Sequence, residues 1–205
     1  MLIIGACTFA LLARLWQDRH SRAYREISQL GLEYIGALTD YAAGEVLTLA
    51  MRTLKEISPS AKLQLSHAGF VQSLLDSLTV DESARRTLTD LIRKKNLDDL
   101  SARAAYLGVA PAAVPLLAAA CQLSGPLEET LDRARTVAIT PGMTEALQKL
   151  ERMREALNAA GCLDGVSLDF SLMNDLDYYS DLVFRGYVEG LPRAVLAGGC
   201  YSSLL

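Results

Sequence analysis

DLDYYSDLVFRGYVEGLPRAVLAGGCY, from Asp175 to Tyr201, reads as two strands joined by a turn. Tyr178 to Val188 alternates and is rich in aromatic and branched residues, as a half-buried strand requires. EGLP, Glu189 to Pro192, is the turn, and RAVLAGG, Arg193 to Gly199, is the return strand. A hairpin of this kind gathers Tyr178, Tyr179 and Tyr201 at one end. Gly198 and Gly199 lie beside them, where the lack of side chains lets a ligand approach the backbone. Tyrosines in strands are most often cross-strand packing, so each one alone is a weak signal.

Working outward, VSLDFSL (Val166–Leu172) is an alternating strand with Val166, Leu168, Phe170 and Leu172 on one face. KLQLS (Lys62–Ser66) is another, and YREISQLGLEYIGA (Tyr24–Ala37) reads as a strand broken around Gly31. The apolar start MLIIGACTFALLA is too short to cross a bilayer, which takes about 20 residues, and it reads as a buried strand or helix start.

Helices separate these strands. Val46, Leu47, Ala50, Met51 and Leu54 recur at helical spacing until Pro59 stops the run, and AGFVQSLLDSL (Ala68–Leu78) is a short helix. From Thr79 to Gly161 the chain reads as helical throughout. Thr79 to Glu82 has the form of a capping box, Asn96 can cap a helix closed by Gly108, and Thr140-Pro141 opens a longer one. Pro111 and Pro126 suit first turns. The basic run Arg93–Lys95 reads as a solvated helix end. The expected organisation is one composite α+β domain: residues 1–78 begin an antiparallel core, 79–161 are a helical insertion, and 162–205 return to the core strands.

Composition bounds the function. Hydrophobic residues make up 51% of 205, enough for a sizeable core, and the net charge is −4. That balance argues against non-specific nucleic-acid binding, which needs a basic surface. Cys7, Cys121, Cys162 and Cys200 are widely spaced with only His20 and His67 to help them, so no zinc site and no metal is expected. Free thiols suit a reducing cytoplasm.

Two separated stretches carry a resemblance. Tyr24 to Gly36 resembles the strand half of motif two in class II aminoacyl-tRNA synthetases, in the histidyl-tRNA synthetase version. LDYYSDLVF with LAGGCY resembles that family's histidine motifs, R-G-L-x-Y-Y and G-G-R-Y-D, in the same order and with a helical insertion between. The resemblance covers about Arg22 to Leu205. It implies a class II synthetase-like antiparallel sheet flanked by helices, truncated at both ends, since neither motif one nor motif three is found. It implies a histidine pocket from Gln29, Glu33, Tyr178, Tyr179, Gly198, Gly199 and Tyr201. The residues matching Glu33 and Tyr179 grip the imidazole, and the one matching Gln29 meets the amino-acid backbone. Gln29 and Glu33, four apart on a strand, can share a face.

The departures bear on activity. Where the synthetases have the arginine and glycine of R-G-L-x-Y-Y, this chain has Asn174 and Asp175, and Cys200 and Ser202 replace the arginine and aspartate of G-G-R-Y-D. An asparagine supplies no fixed cation for attack on ATP, and one lost donor commonly costs about 10²–10³-fold. A kept histidine pocket with lost adenylation chemistry resembles a non-catalytic paralogue, the best known being the regulatory subunit of short-form ATP phosphoribosyltransferase. The resemblance then implies L-histidine as ligand, that enzyme's catalytic subunit as partner, no catalytic residue, no cofactor, no nucleic acid, no membrane and a cytoplasmic location, with a homodimer left open. A divergent or fragmentary histidyl-tRNA synthetase is the alternative, and a paralogue that binds no histidine is a third reading.

Overall fold

The alternating stretches become strands of one sheet, and the helically spaced ones cover a single side of it. The computed structural model describes residues 5–12, 29–173 and 181–201. In chain order the elements are β1 (Gly5–Leu12), β2 (Gln29–Gly36), α1 (Asp40–Ile57), β3 (Lys62–His67), α2 (Ala68–Asp76), α3 (Glu82–Arg93) and α4 (Leu97–Arg103). A 3-10 turn (Pro111–Ala113) follows, then α5 (Val114–Gln122), β4 (Ser124–Pro126), α6 (Leu127–Val137), α7 (Pro141–Ala159), β5 (Val166–Asp169), β6 (Leu182–Tyr187) and β7 (Leu196–Tyr201).

The seven strands are ordered β2-β1-β7-β6-β3-β5-β4. Every pairing is antiparallel except β3 with β5, where Leu63, Gln64 and Leu65 face Val166, Ser167 and Leu168 in parallel. The sheet is therefore mixed rather than wholly antiparallel. A parallel pair needs a long crossover, and the helical block between β3 and β5 supplies one. That block is not helical throughout either. Ser124–Pro126 pairs with Asp169–Ser167 as an edge strand, a place where a proline without an N–H is tolerated.

Local chemistry sets the helix ends. Thr39 caps α1 by accepting from the Ala42 N–H at 3.2 Å. Thr140 does the same for α7 through Met143, also at 3.2 Å. The start of α3 falls two residues later than the capping-box reading of Thr79. Asp81 is the cap, accepting from the Ala84 N–H at 2.8 Å, and Glu82 joins the first turn, where a carboxylate suits the helix dipole. The β2 strand runs unbroken through Gly31, which is in ladder register with Ala10; residues 24–28 lie outside the described residues. The basic run does end α3, with Lys94 and Lys95 exposed, and Lys95 also makes fixed contacts. It takes the left-handed conformation, φ 53°, and its Nζ reaches Asp169 Oδ2 at 2.8 Å and Ser124 Oγ at 3.0 Å.

The core lies between the sheet and α1, α2 and α7. Leu47, Met51 and Leu54 of α1 are fully buried against Leu63, Leu65 and Phe184 of the sheet, with Leu150 and Met153 of α7 in the same cluster. Phe70 and Phe170 stack with ring centroids 4.4 Å apart. Leu88, Ile92, Leu100, Leu117 and Leu131 of the helical block belong to that same core. Among the described residues, no helix is long and apolar enough to cross a membrane.

Candidate functional site on the open face of the sheet

Directly paired residues on neighbouring strands share a face, so the register sorts the sheet into two sides. One side carries Leu63 and Leu65 of β3, Leu182 and Phe184 of β6, Leu196 and Cys200 of β7, all buried against the helices. The opposite parity carries Lys62, Gln64, Ser66, Val183, Arg185, Tyr187, Ala197, Gly199 and Glu33. Helices claim the first set for the core; of the second, Lys62, Gln64, Arg185, Tyr187, Ala197 and Glu33 are at least partly exposed, while Ser66, Val183 and Gly199 are buried.

A single row crosses five strands of that open face. Glu33 pairs with Thr8, Thr8 with Gly199, Gly199 with Val183, and Val183 with Ser66. Glu33 and Gly199 are two strand spacings apart, about 10 Å. Tyr201 pairs with Ala6 and Gln29 with Leu12, register positions of the same parity as this row. Gly198 has the other parity, paired with Phe9 and Phe184. Tyr178 and Tyr179 lie outside the described residues, as do Asn174 and Asp175. Cys200 is a fully buried thiol on the helix side, where a small, weakly polar side chain fits without a charge to neutralise.

Several polar residues of this face were not among the residues expected from sequence. Ser66 is 1% exposed and its Oγ has no hydrogen-bond partner among the described residues. Asp169 is tightly held. Its Oδ1 accepts from the Ser171 N–H at 3.0 Å and the Ser171 hydroxyl at 2.6 Å. Its Oδ2 takes Lys95 and, at 3.3 Å, the Gln64 amide. Alternation in KLQLS could have assigned Gln64 and Ser66 to a polar face. Nothing local ties them to β6.

Just before β6, Asp181 is held by two neighbouring elements. His67 Nε2 lies 2.6 Å from its Oδ1, and Lys149 of α7 pairs with its Oδ2. The first contact is an ion pair when the imidazole is protonated. His67 Nδ1 is buried with no hydrogen-bond partner among the described residues. The Asp181 carbonyl also accepts from the Ala68 N–H at 2.8 Å. Burial alone would push the Asp181 carboxyl up. The hydrogen bonds and charges of His67 and Lys149 outweigh it and hold the carboxyl at about 2.

A larger groove of about 480 Å³ between α6 and α7 is lined by Arg135, Thr144, Leu147, Gln148, Glu151 and Arg152. Its charges are already paired, Arg135 with Glu151 at 2.6 Å and Arg152 with Asp40 at 2.5 Å. The open face of the sheet is the better site.

Known proteins share this arrangement. The ATP phosphoribosyltransferase regulatory subunit of Geobacter sulfurreducens is 32% identical over 181 residues, covering 88% of this chain and 41% of that protein. A solved structure of an ATP phosphoribosyltransferase regulatory subunit/histidyl-tRNA synthetase from Bacillus halodurans superposes with a TM-score of 0.71 at 22% identity, over 85% of this chain and 52% of that one. A chain of the ATP phosphoribosyl transferase (HisG:HisZ) complex from Thermotoga maritima does so with a TM-score of 0.62 at 17% identity, over 80% of this chain and 62% of that one. At such identities the two structures speak for the fold, a class II synthetase-like α+β sheet with flanking helices. The chain spans about half the length of the curated relatives it matches. The family model described as Histidyl-tRNA synthetase matches residues 8–205, and the chain belongs to that family.

Proposed function

We propose that this chain is the histidine-sensing part of an ATP phosphoribosyltransferase regulatory subunit, a cytoplasmic protein of histidine biosynthesis that partners the catalytic subunit. Gln29, Glu33, Tyr178, Tyr179, Gly198, Gly199 and Tyr201 form the pocket for L-histidine. The observation that carries this reading is a contrast within the chain. Glu33 and Gly199 are kept in one row of the open face, while Asn174 and Asp175 stand where the synthetases have arginine and glycine. Binding is kept and the fixed cation for adenylation is lost. The relatives, ATP phosphoribosyltransferase regulatory subunits, support the same direction. Feedback then operates through different histidine affinities of the active and inhibited assemblies, a coupling typically worth about 5–150-fold.

Calorimetric titration of L-histidine into the purified chain tests this, with Glu33→Ala and Tyr179→Phe beside it. Saturable binding that weakens in both variants is expected. No heat from a folded protein would refute the pocket. Histidine-dependent ATP–pyrophosphate exchange separates the alternative of a divergent synthetase, and none is expected from a chain with Asn174 at that place.

A further inference from the structure

The open face holds a second feature that the histidine row does not use. A cavity of about 290 Å³ lies over β6, β3 and the end of β5, lined by Arg93, Gln64, Asp169, Ser171, Arg185 and Tyr187 among others. Arg185 pairs in register with Ala197 and Gln64, and Tyr187 with Lys62. The Arg185 row lies two residues along the strands from the Glu33 row, about 7 Å, and the cavity extends toward β5, away from β2. Among the described residues, none that lines it belongs to the candidate histidine pocket.

The lining is built to donate. Its carboxylate, Asp169, has both oxygens engaged by Ser171, Lys95 and Gln64, so it offers little to a cation. Arg93 is tied to Asp90 at 3.0 Å. Arg185 is half-buried, and among the described residues no hydrogen bond or ion pair engages its guanidinium. An arginine that is partly desolvated and, among the described residues, has no counter-ion, flanked by a phenol and a carboxamide on rigid strands, has the geometry that recognises planar or tetrahedral oxyanions. We propose that this cavity binds a small oxyanion, the carboxylate or phosphate group of a metabolite, with Arg185 as the fork and the Tyr187 hydroxyl and Gln64 amide as further donors. The Ser171 hydroxyl donates to Asp169, so toward the ligand it serves as an acceptor for a hydroxyl beside the charged group.

Titration of the chain with inorganic phosphate, pyrophosphate and malonate, against chloride at matched ionic strength, tests the site and separates phosphate from carboxylate chemistry. Saturable binding of at least one oxyanion is expected. Arg185→Gln should weaken it about tenfold or more, the range for a charged hydrogen bond removed from a binding site. Arg185→Lys keeps the charge without the fork and should lose less, and Tyr187→Phe should lose less still. Circular dichroism establishes that each variant is folded, and L-histidine binding should be unchanged in all three. No saturable binding by the folded chain up to about 10 mM, or equal binding after Arg185→Gln and Tyr187→Phe, overturns the proposal whatever histidine does.

Discussion

Replacing Asp181 by asparagine should destabilise the fold at neutral pH and do so less as the solution is acidified. The carboxyl is 18% exposed and sits between His67 and Lys149. Its pKa is lowered from 3.8 to about 2, which at about 1.4 kcal/mol for each tenfold in proton affinity stabilises the folded state by about 2 kcal/mol. A depressed carboxylate stabilises fully above its unfolded value and loses the effect as pH falls through the folded one. The contribution is therefore complete at neutral pH, about half remains near pH 3, and little is left near pH 2. Asparagine keeps the shape and an acceptor for His67 Nε2–H but leaves Lys149 without its anion. Urea unfolding of both proteins at pH 7 and pH 3 reads the difference. A gap of about 2 kcal/mol at pH 7 that narrows to about half at pH 3 is expected. A gap of the same size at both values would refute the electrostatic account. Because Asp181 is the first described residue after the tyrosine segment, histidine affinity should fall with it if the clip positions Tyr178 and Tyr179.

Two further expectations concern the core. A Cβ added at Gly44 would lie 2.7 Å from the Ala156 Cβ; Gly44→Ala should lose about 1 kcal/mol net, since an overpacking cost of about 1–3 kcal/mol exceeds the helix-propensity gain of about 1 kcal/mol. Ala156→Gly in the same chain should restore the contact, and a double-mutant cycle by thermal unfolding should show the coupling. Thr140→Ala should lose about 1 kcal/mol by removing the α7 cap and the 2.7 Å contact with Ser73 Oγ, with Thr140→Ser recovering most of it in the same melt.

Local periodicity was enough for much of the fold. Leu47, Ala50, Met51 and Leu54 announced α1, Thr140-Pro141 its own helix, and KLQLS its strand, because each rests on contacts within one turn or one pleat. What escaped was set from far away. Ser124–Pro126 becomes β4 only because β5 offers an edge, 40 residues on. Lys95 takes the left-handed conformation at the end of α3, where the Asn96 N–H closes on the Leu91 carbonyl. Its ammonium reaches Asp169 and Ser124, which no local pattern announces. The site divides in the same way. Resemblance proposes Glu33, Gly199 and the tyrosines, whereas it offers no signal for Ser66, Gln64 or Arg185. Their meeting depends on β6 lying between β7 and β3, and register between strands more than a hundred residues apart is not written in either strand alone.

The two parities of the sheet also separate what can change from what cannot. On the helix side, a Cβ added at Gly186 would lie 2.6 Å from the Leu54 methyls and 3.0 Å from the Leu196 Cβ, so substitution there is felt by the whole core. On the open side, Arg185 and Tyr187 are partly exposed, so replacing them should alter chemistry more than fold. Likeness of fold is then blind to the residues that decide activity. A chain can match a synthetase family over nearly all its length and still carry Asn174 and Asp175 where that family's motif has arginine and glycine. It follows that divergence of function in such chains should be sought on one parity of β3, β6 and β7.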